Sequence, residues 1–433
     1  MDYFRYRRGV LHCEEVPVPE IAARAGTPSY IYSTRTIVDH YRKLRDAFRR
    51  SGLDVLVCYS VKANGNLSLL KLMQHEGAGF DVVSGGEIHR ALRVGADPRT
   101  IVFAGVGKTE AEIRLALEQD ILQFNVESED ELEVIEGTAR SLGRTARIAI
   151  RVNPDVDPKT HTYITTGKKE NKFGLDIDRT RDLLGRLGQY PSVRLAGLHM
   201  HIGSQIVQVE PYVDALRRLL AFLPECEKAG HRGETLDLGG GFGIFYLEKS
   251  ARPPEEFANA LLPLLAQAGC RLILEPGRFI VGNAGILVTR VLYVKGSGTK
   301  TFYVCDGGMT DLIRPSLYGA YHRIWPVETE ATVEGDAPDE ETWAGAATAA
   351  DVVGPICESG DFFAKDRRLP PLRKGQLLAV FSAGAYGYAM SSNYNSRPRP
   401  AEVLVAGGRH EVVNPRETVD DLLGRERVIL MTP

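Results

Sequence analysis

The chain has 433 residues, 43% of them hydrophobic, which allows a large core and roughly two or three domains. Its 53 Lys and Arg nearly balance 56 Asp and Glu, a formal net charge of -3, which argues against a nucleic-acid or anionic-membrane partner held by bulk electrostatics. No apolar run reaches the roughly 20 residues of a spanning helix, the opening MDYFRYRRGVLHCEE lacks the pattern of a signal peptide, and the six cysteines (Cys13, Cys58, Cys226, Cys270, Cys305, Cys357) show neither a CxxC pair nor zinc-like spacing, so a cytoplasmic protein with mostly buried thiols is expected.

The first two thirds alternate strand-like and helix-like runs. The strands are expected at Val55–Ser60, Gly79–Ser84, Ile101–Gly105, Leu122–Val126, Arg147–Val152, Leu195–His201, Leu236–Gly239 and Arg271–Glu275. Between them, stretches such as Leu67–Gln74, Gly86–Val94, Glu129–Leu142, Thr180–Leu187, Val213–Leu223 and Pro254–Leu265 carry apolar residues at helical spacing. Thr109-Glu110-Ala111-Glu112 predicts a capping box. Eight βα units in this length fit a (β/α)8 barrel, though a doubly wound sheet could also hold eight strands. From about residue 286 the texture becomes short β-type runs split by Gly, Pro and Asp, which predicts an all-β domain. The expected division is 1–33, an opening segment that joins the β-domain; 34–285, the barrel; and 286–433, the β-domain. Asp336–Thr342 reads as an acidic surface loop.

Chemistry concentrates at strand ends. Lys62, in CYSVKAN, ends the first strand, where a partly desolvated amine can form a Schiff base; taken alone it reads better as a solvated strand-end lysine, and the motifs around it overturn that. Gly239-Gly240-Gly241 follows the seventh strand, where consecutive N–H groups close on an anion, unless it is a plain turn. A dinucleotide fingerprint fits poorly there, because that motif belongs to a first βα turn. Glu275-Pro276-Gly277-Arg278 ends the eighth strand; its carboxylate suits a pyridine nitrogen, the alternative being an internal Glu–Arg pair. His199 and His201 fall on one face of the sixth strand, open to metal ligation or ring stacking. Metal is set aside because no carboxylate or cysteine stands nearby at ligand spacing. Gly105-Val106-Gly107-Lys108-Thr109 is no P-loop, since Val102 stands where its first glycine belongs, and Asn153–Pro158 lacks the glycine and glutamate of a calcium loop; both read as ordinary loops. In the β-domain, Cys357 and Glu358 lie in a CESGD loop, Arg314 and Tyr318 offer a guanidinium and a phenol for a carboxylate, and Tyr386 sits in a Gly-Ala-rich turn.

YSVKAN, FDVVSGGE, ENKFGLD, HMHIGSQI, LDLGGGFG, EPGR, CDGGMTDLIRPSLYGAYH, CESGD and GAYGYAMSSNYNSRP, in this order, resemble the diaminopimelate decarboxylases, a branch of the alanine-racemase-type pyridoxal-phosphate decarboxylases. The resemblance runs over about residues 28–415 and is specific as a set. It implies a pyridoxal-phosphate-binding (β/α)8 TIM barrel followed by a C-terminal β-sandwich-like domain, and decarboxylation of meso-2,6-diaminopimelate to L-lysine. By motif it implies Lys62 as the Schiff-base lysine, His201 against the ring, Asp81 in support, and Glu275 on the pyridinium nitrogen. Ser204, Gly239, Gly240, Gly241 and the backbone at Gly277 and Arg278 would hold the phosphate. Arg278, Arg314 and Tyr318 would grip the distal carboxylate, Glu358 the distal ammonium, and Tyr386 both cofactor and substrate, while Cys357 would be the general acid. A homodimer with shared sites is implied; no metal is.

Overall fold

The computed structural model describes residues 2–50, 52–156, 172–230, 233–246, 251–266, 268–298, 300–329, 333–336 and 348–432. The chain divides into two compact units: residues 38–280, and residues 1–37 together with 281–433.

The first unit is a closed barrel of eight parallel strands, in chain order Val55–Ser60, Gly79–Val82, Ile101–Phe103, Gln123–Val126, Ala146–Arg151, Val193–His199, Thr235–Asp237 and Arg271–Leu274. Leu272, Ile273 and Leu274 pair with Val55, Leu56 and Val57 to close it. These strands read as near-continuous apolar runs because both faces are covered. Helices return the chain between most of them, including Leu67–His75, Gly85–Arg93, Glu110–Glu118, Glu129–Ser141, Glu210–Lys228 and Pro254–Leu265. The Thr109 box forms as expected: its hydroxyl accepts from Glu112 N, and Glu112 Oε2 accepts from Thr109 N at 3.0 Å.

Strand ends differ from expectation where a side chain claims the backbone. The second strand stops at Val82, because Ser84 becomes the N-cap of Gly85–Arg93 and accepts from Glu87 N. The sixth stops at His199, so His201 lies in the loop beyond it. Inside the barrel, Cys58, Val102 and Ile273 form an apolar plug, and above it lies a buried polar layer of Asp81, Gln123, Asn125, His199, Asp237 and Glu275.

In the second unit, the sheet order is Phe362–Leu369, Thr348–Val353, Lys300–Cys305, Gly285–Ser297, Ser29–Ser33, Ala401–Ala406 and Arg409–Asn414; Leu377–Val380 branches from Gly285–Ser297 and in turn pairs with Ile324–Pro326. The opening segment joins this unit, but of its strands only Ser29–Ser33 enters the large sheet. Positive φ at Arg8 and Gly9 turns it back on itself, and Phe4–Arg7, Val10–Cys13 and Val16–Pro17 make a separate antiparallel sheet touching the rest through Tyr6–Gly335 and Val10–Glu328 bridges. Residues 337–342 of the acidic stretch, 157–158 of the Asn153–Pro158 loop and 170–171 of ENKFGLD lie outside the described residues. Among the described residues, no helix is long and apolar enough to cross a membrane.

Replacing Thr109 with Ala removes both halves of its capping box and is expected to lower unfolding stability by about 1 kcal/mol, read from urea denaturation. An unchanged midpoint would show that the box contributes nothing.

Candidate active site

The first barrel strand ends in a single 3-10 turn, Val61–Ala63, which carries Lys62 to the mouth. Lys62 Nζ donates to Asp81 Oδ2 at 2.6 Å; the lysine is 36% exposed and the aspartate fully buried. Asp81 is the register partner of Ser60 on the next strand, and Ser60 Oγ lies 2.7 Å from Asp81 Oδ2 and 2.9 Å from the Glu275 carbonyl. Burial and then the Glu275 charge raise the Asp81 carboxyl, with Lys62 pulling the other way. Asp81 Oδ1 has no partner.

A hydrogen-bond relay sets the polar layer. Thr235 Oγ1 donates to Gln123 Oε1 and Gln123 Nε2 to Asn125 Oδ1, each at 2.8 Å. That leaves the Asn125 NH2 group facing Glu275 Oε1 at 3.0 Å and Asp237 Oδ2 at 3.3 Å. Glu275 Oε2 is 3.4 Å from His199 Nε2. Two buried carboxylates this close cannot both ionise. Burial, then the Glu275 charge, push Asp237 well above the carboxylate range. Against the same burial, His199 and Lys62 hold Glu275 below it. Glu275 is therefore the ionised member.

The ground on which metal was set aside does not survive folding. Three strand ends bring ligand atoms of His199, Asp237 and Glu275 within 4.8 Å of one another. The chemistry still disfavours a cation, because the Asn125 amide aims donor hydrogens at both carboxylates.

Gly239 and Gly241 adopt φ of 66° and 105°. A Cβ on Gly240 would strike the Glu275 carbonyl, and one on Gly241 the Gly203 carbonyl, so only glycines let this backbone pass. A Cβ on Gly277 would lie 3.0 Å from Ser60 and Ala63 side chains. Gly240 N donates to His201 Nδ1 at 3.1 Å. Arg278 Nη2 donates to Ser204 Oγ at 3.2 Å and Nη1 to Tyr246 OH at 2.6 Å. Gly239 N and Gly240 N are engaged by Asp237 Oδ1 and His201 Nδ1; the close-packed glycine backbone, the Ser204 hydroxyl and the Arg278 guanidinium are what a phosphate monoester takes, and an amine beside a carboxylate is what an aldehyde takes. The barrel mouth thus fits pyridoxal phosphate.

Within the second unit, Arg314 is buried and opens a short helix, Arg314–Tyr318, with its guanidinium 5.9 Å from the Tyr318 ring centroid. Cys357 is the exposed one of six free cysteines, and Glu358 beside it is exposed too. Asp361 pins their loop, accepting from Ile356 N and Met309 N at 2.6 Å each, while Asn395 Oδ1 accepts from Cys357 N at 2.9 Å. Tyr386 has φ of 57°, a left-handed conformation uncommon outside glycine.

Asn125, Asp237, Tyr246, Glu127 and Arg151 have no assigned role in the motif reading. The one signal for Asn125 is a polar alternation, Gln123 and Asn125, inside an otherwise apolar strand. Lys108 also differs from expectation. It is fully buried, donating to Glu131 Oε1 at 2.6 Å and to the carbonyls of Gly105 and Asn125 at 2.8 and 2.9 Å.

Residues 34–282 match the pyridoxal-binding domain of the pyridoxal-dependent decarboxylases. A diaminopimelate decarboxylase of Aquifex aeolicus is 47% identical over 419 residues, covering 96% of each chain. One from Pseudomonas aeruginosa is 46% identical over 429 residues, 99% of this chain and all of the other. The chain belongs to the diaminopimelate decarboxylase family. A family structure from Helicobacter pylori, complexed with L-lysine, superposes with a TM-score of 0.87 at 40% identity, covering 94% of this chain and 98% of that one. As in the rest of this pyridoxal-dependent family, pyridoxal phosphate is the cofactor.

Gly240→Ala is expected to weaken pyridoxal-phosphate affinity at least about tenfold, ~1.4 kcal/mol, in a titration of cofactor-free protein whose thermal melt is recorded alongside. Unchanged affinity would show that the glycine backbone does not border the cofactor.

Proposed function

We propose that the protein decarboxylates meso-2,6-diaminopimelate at its D centre, giving L-lysine and CO2. The observation that carries this reading is near-full-length identity to diaminopimelate decarboxylases, at 47% and 46%, spanning both units. The Helicobacter relative's complex with L-lysine supports the product side.

Pyridoxal phosphate supplies an electron sink for the pair left at Cα when CO2 departs. The chain's own residues bind, orient and move protons. Lys62, beside Asp81, would anchor the cofactor. Glu275, in the buried layer, would keep a proton on the ring nitrogen. His201 would lie against the ring, and Ser204, Gly239 to Gly241, Gly277 and Arg278 would hold the phosphate. Arg278, Arg314 and Tyr318 take the distal carboxylate, Glu358 the distal ammonium, and Tyr386 touches both ligands. Fixing the far end would orient the scissile bond for release of its electrons to the cofactor. Cys357, an exposed thiol, donates the proton that replaces CO2 at Cα. The exposed Cys357–Glu358 loop serves the site of a second copy, so the working unit is a homodimer in the cytoplasm, without nucleic-acid or membrane partners.

A substrate lacking the distal carboxylate gives Arg278, Arg314 and Tyr318 no anion to hold, a cost of several kcal/mol. The test is CO2 release from meso-diaminopimelate, ornithine and lysine, with the wild type, Arg314→Ala and Cys357→Ala. The wild type is expected to prefer diaminopimelate. Arg314→Ala should lose about 2–5 kcal/mol in kcat/KM for that substrate alone. Cys357→Ala should lose roughly 10²- to 10⁴-fold in kcat with KM little changed. Wild-type preference for ornithine or lysine would overturn the substrate assignment.

A further inference from the structure

Three barrel strands meet in one chain of buried hydrogen bonds. Gln123 and Asn125 stand two residues apart on Gln123–Val126, as Thr235 and Asp237 do on Thr235–Asp237, and Glu275 follows Arg271–Leu274. Period-two geometry puts each pair on one face, so Gln123 and Thr235 form a layer one step farther from the mouth than Asn125 and Asp237. All five are buried, so their donors and acceptors must satisfy one another. Asn125 Nδ2 lies 3.0 Å from Glu275 Oε1 and 3.3 Å from Asp237 Oδ2. An ionised carboxylate only accepts, so Asn125 presents its NH2 group there. Its carbonyl then faces Gln123 Nε2 at 2.8 Å, and Gln123 Oε1 accepts from Thr235 Oγ1, also at 2.8 Å. A second acceptor for the Thr235 hydroxyl, the Ala196 carbonyl, is farther off at 3.3 Å.

Asn125 takes Glu275 Oε1, His199 Nε2 lies 3.4 Å from Oε2, and Asp237 shares the same amide. The charges of Lys62, His201 and Asp81 also act on this carboxylate. Gln123 bonds to neither acid and reaches them through Asn125. Take away its N–H donor and the Asn125 carbonyl loses its partner, so the amide can make a half-turn. That turn would set a carbonyl oxygen against Glu275, where it repels the charge that the NH2 group had held.

We propose that Gln123, anchored by Thr235, is a positioning residue for Glu275: it fixes the Asn125 amide with its donors on the two acids, and so holds the Glu275 carboxylate ready for the cofactor's ring nitrogen. This rests on the pairing of Glu275 with that nitrogen under the proposed function. The state of the two acids agrees. Burial, then the Glu275 charge, push Asp237 well above the carboxylate range, whereas His199 and Lys62, against burial, hold Glu275 below it. One amide thus bridges an acid that keeps its proton and one that carries the charge. Neither Gln123 nor Thr235 falls in a motif that carries the family resemblance, and both can be changed without altering a charge.

The test compares the wild type with Gln123→Met, which keeps the volume and removes both bonds, and with Thr235→Val, a smaller change that removes only the anchor. In cofactor-free protein, NMR reads the side-chain carboxyl carbons of Glu275 and Asp237. In loaded protein, it reads the ring nitrogen of isotope-labelled pyridoxal phosphate against pH. Gln123→Met should raise the protonated share of Glu275 at least about tenfold at neutral pH, with Asp237 moving the opposite way. The ring nitrogen should lose its proton at least about one pH unit lower than in the wild type. The kcat should fall at least about tenfold with KM within about twofold. Thr235→Val should move every reading in the same direction by less. Carboxyl carbons and a ring nitrogen unchanged in Gln123→Met, or in Thr235→Val should the first variant fail to fold, would overturn the proposal and leave the relay a structural feature. Carbons that move while the ring nitrogen does not would uphold the relay and sink the pairing of Glu275 with the cofactor.

Discussion

The ion pair between Lys62 and Asp81 governs the barrel mouth. Asp81 is fully buried on the neighbouring strand, and its carboxylate has the Lys62 amine at 2.6 Å as its charged partner. A buried charge deprived of its partner is costly. Burial, then the Glu275 charge, raise the Asp81 carboxyl, and Lys62 and Ser60, at 2.6 and 2.7 Å from Oδ2, pull the other way. Were Lys62 to hold the cofactor, that balance at Asp81 would shift.

The same economy of charge runs through the layer beneath. The polar layer is buried, so its groups look to one another for hydrogen bonds. The Thr235–Gln123–Asn125 relay does this with neutral groups and orients one amide onto two acids. Asp237 then holds a proton, and Glu275 carries the charge next to His199. An ionised carboxylate in that dry setting is what a pyridinium nitrogen requires. Under the proposed function, this layer would set the electronic environment of the cofactor, and the glycine run and Arg278 its position.

Much of this was legible before folding. Parallel strands buried on both faces are continuous apolar runs punctuated by Gly and Pro, so all eight could be read. Their ends could not, because Ser84 and His201 leave the strand for tertiary reasons: a cap in one case, a turn toward Gly240 in the other. Phe362–Leu369 is hard to read as a strand, because Lys365, Asp366, Arg367 and Arg368 replace a clean apolar alternation. Lys62, Glu275 and the glycines stand in recognisable motifs. Lys108 looked like part of an ordinary loop, since a sequence does not show that an amine will be enclosed by two carbonyls and a glutamate. Distance along the chain also misled on metal: His199, Asp237 and Glu275 are far apart in sequence and adjacent at three strand ends.

The most direct test is to reduce the cofactor-loaded protein with borohydride, which makes the lysine–cofactor bond permanent, and to locate the label by peptide mass spectrometry. The account requires the phosphopyridoxyl group on Lys62, and its loss from that peptide in Lys62→Ala. A label on another lysine, or none on a protein that binds the cofactor tightly, would contradict it.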